Sequence, residues 1–244
     1  MKIIVIGNSV GLMIRPPRNQ SDDLHFAQII KKKSSQKKLG ITEIENRCKA
    51  GNIIDDIFVK DMDYLIGNSP EVVIVFLGIN EAVSRPLPKF LYQPLNRERY
   101  VSNMVARFLQ KINYGANKYL FPYLIRFFSL KGWYRQTAFV SRVEVFIEKL
   151  TKETKSLILF ASILPCNDRI EAFLPGSKKS IIEFNKELKN SLSKYDNVEL
   201  VEIKSDMLGA LTETLVPDGI HMNSEAHKAF AEKILESVKS YFPN

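Results

Sequence analysis

Residues 71–77, Glu-Val-Val-Ile-Val-Phe-Leu, constrain the fold more than any other stretch of this 244-residue chain. The run is β-branched, nearly all apolar, and bounded by Pro70 and Gly78. Such a run reads as a central strand, buried on both faces of a parallel sheet. Parallel neighbours need long crossover connections, which are usually helices. The rest of the chain should therefore alternate strand and helix.

It does. Lys2 to Gly7 is a short apolar run closed by glycine and reads as the first strand. A helix is expected from about Asp22, ending in the solvated basic stretch Lys31 to Lys38. Ile41 to Asn46 alternates apolar and polar and reads as the second strand, followed by a turn at Ala50-Gly51-Asn52. Ile53 to Leu65 carries Ile54, Ile57, Phe58, Met62 and Leu65 at helical spacing. Beyond residue 140 come a helix (Ser141 to Thr151), a buried strand (Ser156 to Leu164, ended by Pro165) and a loop (Cys166 to Pro175). A helix from Lys178 to Leu192 follows, with Ile181, Ile182, Phe184 and Leu188 on one face. A strand from Val198 to Ile203 and a helix from Ser224 to Phe242 complete the series. Strands alternating with helices imply an α/β fold with a parallel sheet covered on both faces. No second core is visible, so residues 1–244 are expected to form one domain with an insertion at about 85–140.

That insertion holds most of the chain's charge asymmetry. The net charge is +8, and residues 85–140 carry ten cations and one acid, Glu98. About half of the aromatic residues lie there too, interleaved with the cations. Pro86, Pro88 and Pro94 make an irregular entry, and residues 100–114 can form a helix with Val101, Met104, Val105, Phe108 and Leu109 inward. The segment is too apolar for a linker. It is expected to cover the carboxyl edge of the sheet as a packed helical layer, or to meet another body: a second copy of the chain, or a membrane surface through residues 118–134. Its basicity suits an anionic partner. Nucleic acid is disfavoured, because no recognition-module motif is present. No apolar run approaches the length of a membrane span. The two cysteines, Cys48 and Cys166, have no metal-ligand spacing and suit a reducing cytoplasm.

Ser9 follows the first strand directly, and Asn80 lies just past the 71–77 strand, so both fall on the carboxyl edge of the sheet, where open α/β folds place their sites. By position alone Ser9 reads more readily as a helix N-cap. Of the three histidines, His221 has the most telling surroundings: Val216-Pro217-Asp218-Gly219-Ile220-His221 sets a carboxylate one turn before it in a constrained loop. His25 and His227 read as structural or surface residues in the first and last helices. A serine hydroxyl is a poor nucleophile until a base takes its proton. His221 would be that base and Asp218 the group that orients it. Backbone N–H groups at Ser9 and at a glycine, with the Asn80 amide, would hold a developing oxyanion. Arg15 and Arg18, around Pro16-Pro17, could hold a carboxylate or phosphate, or could simply line a solvated loop.

Four segments together resemble the SGNH (GDSL-type) hydrolases. Gly7-Asn8-Ser9 is similar to the nucleophile block, with Asn8 in place of the usual Asp. Gly51 matches the second-block glycine, Gly78-Ile79-Asn80-Glu81 the Gly-x-Asn-Asp block with Glu81 for Asp, and Asp218-Gly219-Ile220-His221 the Asp-x-x-His block. The resemblance implies a three-layer α/β/α sandwich of flavodoxin-like form around a five-strand parallel sheet, and no metal or organic cofactor. It implies ester hydrolysis through an acyl-enzyme on Ser9, with the oxyanion held by Ser9, Gly51 and Asn80. Arg15, Arg18 and Glu81 are candidates for holding the substrate. The expected substrate is a small or glycan ester carrying a short acyl group such as acetyl, anionic or lipid-linked. The alternatives are a lysophospholipase or thioesterase at the inner membrane surface, and a binding protein that keeps the fold without the chemistry.

Overall fold

The computed structural model describes residues 1–12, 25–37, 39–85, 115, 119–128, 131–202 and 219–243. Its centre is a sheet of five strands, β1 (Lys2–Gly7), β2 (Glu43–Asn46), β3 (Val72–Phe76), β4 (Leu157–Ala161) and β5 (Val198–Val201), in the order β2-β1-β3-β4-β5. All neighbouring pairs are parallel. The 71–77 run is the middle strand, as its composition requires, and every residue of β3 is buried.

Alternation along β1 and β3 sends side chains to two separate cores. Ile4, Ile6, Val73 and Val75 face one layer. Ile3, Val5, Val72, Ile74 and Phe76 face the other. The first layer is built from α2 (Ile54–Lys60), α3 (Met62–Asn68), α4 (Ile79–Ala82), α6 (Gln136–Glu153) and α8 (Ser177–Leu192). The second is built from α1 (Phe26–Lys37) and α9 (Ser224–Tyr241), which pack on each other. Two further helices, α5 (Phe121–Phe128) and α7 (Asp168–Phe173), lie outside the main layers. The outcome is the three-layer α/β/α architecture of SGNH hydrolases.

The chain leaves β1 for β2 on one side and reaches β3 on the other. The carboxyl ends of β1 and β3 therefore flank the point where the winding reverses, the place where a doubly wound sheet opens a crevice. The turns after β1 and β3 supply Ser9 and Asn80.

Several elements differ from their sequence-based boundaries. The helix expected over 53–65 is two helices, because the backbone turns at Asp61 (φ −118°, ψ −17°). The Asp61 side chain is fully buried there and accepts a 2.9 Å hydrogen bond from Arg47 Nε. The expected loop 166–175 contains α7, capped by Asn167 Oδ1, which accepts from the Ile170 N–H. No residue of α7 is buried, so it leaves no apolar period to read. Ile182 is 67% exposed rather than inward, since Ile181, Phe184 and Leu188 already complete the buried face of α8. The helix expected over 100–114 lies outside the described residues.

Candidate active site

Asn8, not Ser9, is the cap of the short turn that follows β1. Its Oδ1 accepts a 3.0 Å hydrogen bond from the Val10 N–H, and its own N–H donates to the Phe76 carbonyl at the end of β3. An amide oxygen serves this cap as well as a carboxylate does. Ser9 is thus relieved of the capping role and becomes the first residue of a 3-10 turn, Ser9–Gly11.

The Ser9 hydroxyl lies 2.9 Å from Nε2 of His221. Both residues are more than nine-tenths buried. His221 is held from both sides. Upstream, the Gly219 carbonyl accepts from the Asn167 N–H at 3.3 Å. Downstream, Met222 is buried and Asn223 caps α9, its Oδ1 accepting from the Ala226 N–H at 2.9 Å. Asp218, Arg15 and Arg18 lie outside the described residues.

The third segment closes on the first two through Asn52. Its side-chain amide donates to the Gly7 carbonyl at 3.3 Å, and its own carbonyl accepts from Asn80 Nδ2 at 2.9 Å. An amide NH₂ has two donors, so this contact fixes the orientation of the Asn80 amide while using only one of them. Gly51, immediately before, has left-handed φ (+79°), with open space where a side chain would begin. Arg85 completes the support: its Nη2 donates to Asn80 Oδ1 at 3.4 Å, and its guanidinium lies 4.9 Å from the centre of the Trp133 ring. Neither Asn52 nor Arg85 was legible as a site residue. Only their nearness to Gly51 and Asn80 in sequence hints at it.

The expectation that Glu81 holds substrate is overturned. Its carboxylate is fully buried and accepts from two backbone N–H groups, Ile54 at 2.9 Å and Gly78 at 3.1 Å. It ties the turn after β3 to the start of α2. Burial pushes the carboxyl up to about 7, although the two N–H donors and Arg85 pull the other way. Gly78 itself has φ +102°, and a Cβ there would meet Ile163 Cδ1 at 2.3 Å. Glycine is thus required for the turn that presents Asn80.

The other histidines have packing roles. His25 precedes α1, and its Nδ1 accepts from the Ala27 N–H at 3.2 Å. His227 is buried within α9, stacked on Phe26. Both thiols are buried, and burial raises their pKa, for Cys166 to about 11, which disfavours a thiolate nucleophile.

Next in sequence to Ser9 and His221, Asn8, Val10 and Ile220 line a narrow, mostly apolar cleft together with Leu77, Ile79 and Ile163 among others. The arrangement can do acyl chemistry: a hydroxyl on a histidine nitrogen, an oriented amide donor, and an apolar recess for a small group.

Comparison with known proteins agrees with ester chemistry on this fold. The model of the GDSL-like lipase/acylhydrolase family matches residues 18–234, most of the chain, and the chain belongs to that family. It is an SGNH-type ester hydrolase. Ser9 and its turn lie just before the matched span. Among solved structures, an acetyl xylan esterase, AlAXEase, superposes with a TM-score of 0.62 at 15% identity, covering 98% of this chain and 100% of that one. The lipase/acylhydrolase of Enterococcus faecalis gives 0.64 at 14% identity, covering 100% and 98%. Axe2, an acetylxylan esterase from Geobacillus stearothermophilus, gives 0.59 at 13% identity, covering 97% and 93%. A search of curated protein sequences gives no match.

Proposed function

We propose that the protein removes a short acyl group, acetyl first among them, from a glycan or related small ester, with Ser9 as nucleophile. The observation that carries this reading is the 2.9 Å contact between Ser9 Oγ and His221 Nε2 at the winding reversal of the sheet. Ser9 Oγ attacks the ester carbonyl carbon while its proton passes to Nε2. The carbonyl π electrons move to oxygen, and that oxyanion is held by the Asn80 amide with backbone N–H groups at Ser9 and Gly51. Collapse expels the alcohol, which takes the proton from His221, and leaves an acyl-enzyme. Water, deprotonated by His221, then repeats the cycle and releases the acid. Asp218, three residues before His221, is assigned to the other ring nitrogen.

The small apolar cleft favours a short acyl group, and two of the solved esterases that share the fold act on acetylated xylan. The two free, buried cysteines support a cytoplasmic setting. A second reading places the ester in a lipid surface, and the exposed aromatic face of α5 favours it.

The test is a series of p-nitrophenyl esters (acetate, butyrate, octanoate, laurate) run beside acetylated xylo-oligosaccharides and lysophosphatidylcholine. The proposal expects kcat/KM to fall steadily with acyl length and acetate to be released from the oligosaccharide. A preference for laurate together with turnover of the lysolipid would replace it with the second reading.

A further inference from the structure

Helix α5 has apolar side chains on two faces, but only one face is covered. Phe121 and Ile125, four residues apart, are buried. Leu120, just before the helix, and Tyr123, Phe127 and Phe128 within it stand at half to two-thirds exposure. These aromatics form a continuous surface: Tyr123 stacks on Phe127 at 5.9 Å, and Phe127 meets Phe128 edge-on at 5.0 Å. Side chains of this kind are rarely left in water together without a partner.

The charge around them identifies that partner. Arg126, within α5, and Lys131 and Arg135, just after it, are exposed. A second copy of the chain, meeting this face about a two-fold axis, would set cation against cation. An anionic lipid surface instead accepts the rings among its acyl chains and the cations among its headgroups. No described helix is long and apolar enough to cross a membrane, so the contact would be peripheral.

We propose that Leu120, Tyr123, Phe127 and Phe128, with Arg126, Lys131 and Arg135 around them, dock the enzyme on an anionic phospholipid surface. The return of the chain from α5 couples this surface to the site. The Lys131 carbonyl accepts from the Arg85 N–H at 3.3 Å, Gly132 packs directly on the backbone of Glu81 and Ala82, and Trp133 lies beside Arg85. Docking would thus bring the Asn80 side of the cleft close to the lipid headgroups.

The experiment is co-sedimentation of the full chain with vesicles of phosphatidylcholine alone or with one-third phosphatidylglycerol, at 50 mM and 500 mM salt. Binding to the anionic vesicles at low salt, about tenfold or more weakened at high salt, is expected. Tyr123→Ser/Phe127→Ser/Phe128→Ser and Arg126→Glu/Lys131→Glu/Arg135→Glu should each abolish it. All six positions are exposed, so hydrolysis of a soluble ester and the melting temperature should stay as in the wild type. Ser9→Ala should bind as the wild type does, which separates docking from chemistry. No binding to anionic vesicles, binding that ignores salt, or wild-type binding by the aromatic variant would overturn the proposal. A dimer in sedimentation velocity that dissociates on Phe127→Ser, or tighter binding to single-stranded oligonucleotide than to vesicles, would do so as well.

Discussion

Ser9 Oγ and His221 Nε2 lie 2.9 Å apart although 212 residues separate them in sequence. The sheet makes the meeting: β1 ends in the turn that carries Ser9, and α9 starts three residues after His221, from the cap at Asn223. Asn80 enters from the neighbouring strand β3, with its amide oriented by the Asn52 carbonyl.

If Asn80 serves the oxyanion, its loss should be felt in the transition state. Asn80→Ala should lower kcat by about 10²–10³, or roughly 2.7–4 kcal/mol, with KM little changed. Steady-state kinetics on p-nitrophenyl acetate measure this. A rise in KM at constant kcat would instead assign Asn80 to ground-state binding.

Arg85 acts through Asn80 rather than on the substrate, donating to its Oδ1 from beneath Trp133. Arg85→Ala should lower kcat about tenfold and leave KM in place. Arg85→Lys should recover part of the loss, and added guanidinium should recover part of it in Arg85→Ala. An effect confined to melting temperature would make Arg85 a packing residue only.

Glu81 predicts a pH dependence of stability. Its folded pKa, about 7, lies above the ordinary 4.5, so between these values the folded chain binds more protons than the unfolded one. The stability of the neutral form is therefore full below about pH 4.5 and lost as pH rises through 7, an effect on the order of 3 kcal/mol. Glu81→Gln, which sets an NH₂ against one of the two backbone N–H groups, should be less stable than the wild type at pH 5 by about 1–3 kcal/mol. That gap should narrow towards pH 8 in denaturant titrations. A gap independent of pH would contradict the assignment.

Gly132 fixes the return of the chain against the site. A Cβ there would lie 2.1 Å from the Glu81 carbonyl oxygen. Gly132→Ala should cost about 1–3 kcal/mol of stability, and activity should fall with it because the same backbone presents Asn80. Thermal melts and turnover, measured together, check both.

Much of this was legible in the sequence where period and punctuation agree. The β3 run between Pro70 and Gly78 and the glycine before the Ser9 turn each point to one structure. The Asp61 break was not legible, because a buried ion pair with Arg47 overrides an unbroken apolar period. Nor was α7, which buries nothing. Glu81 was misread because a carboxylate next to Asn80 in sequence looks exposed to substrate, whereas it turns inward to accept from Ile54 and Gly78. Asn52 and Arg85 gain their roles only through contacts 28 and 5 residues away, which no local pattern announces.

The most direct test of the central claim is the turnover of p-nitrophenyl acetate by Ser9→Ala. With the fold verified by circular dichroism, kcat should fall by about 10⁴ or more, and His221→Ala should fall comparably. Hydrolysis by Ser9→Ala at the wild-type rate would contradict the account.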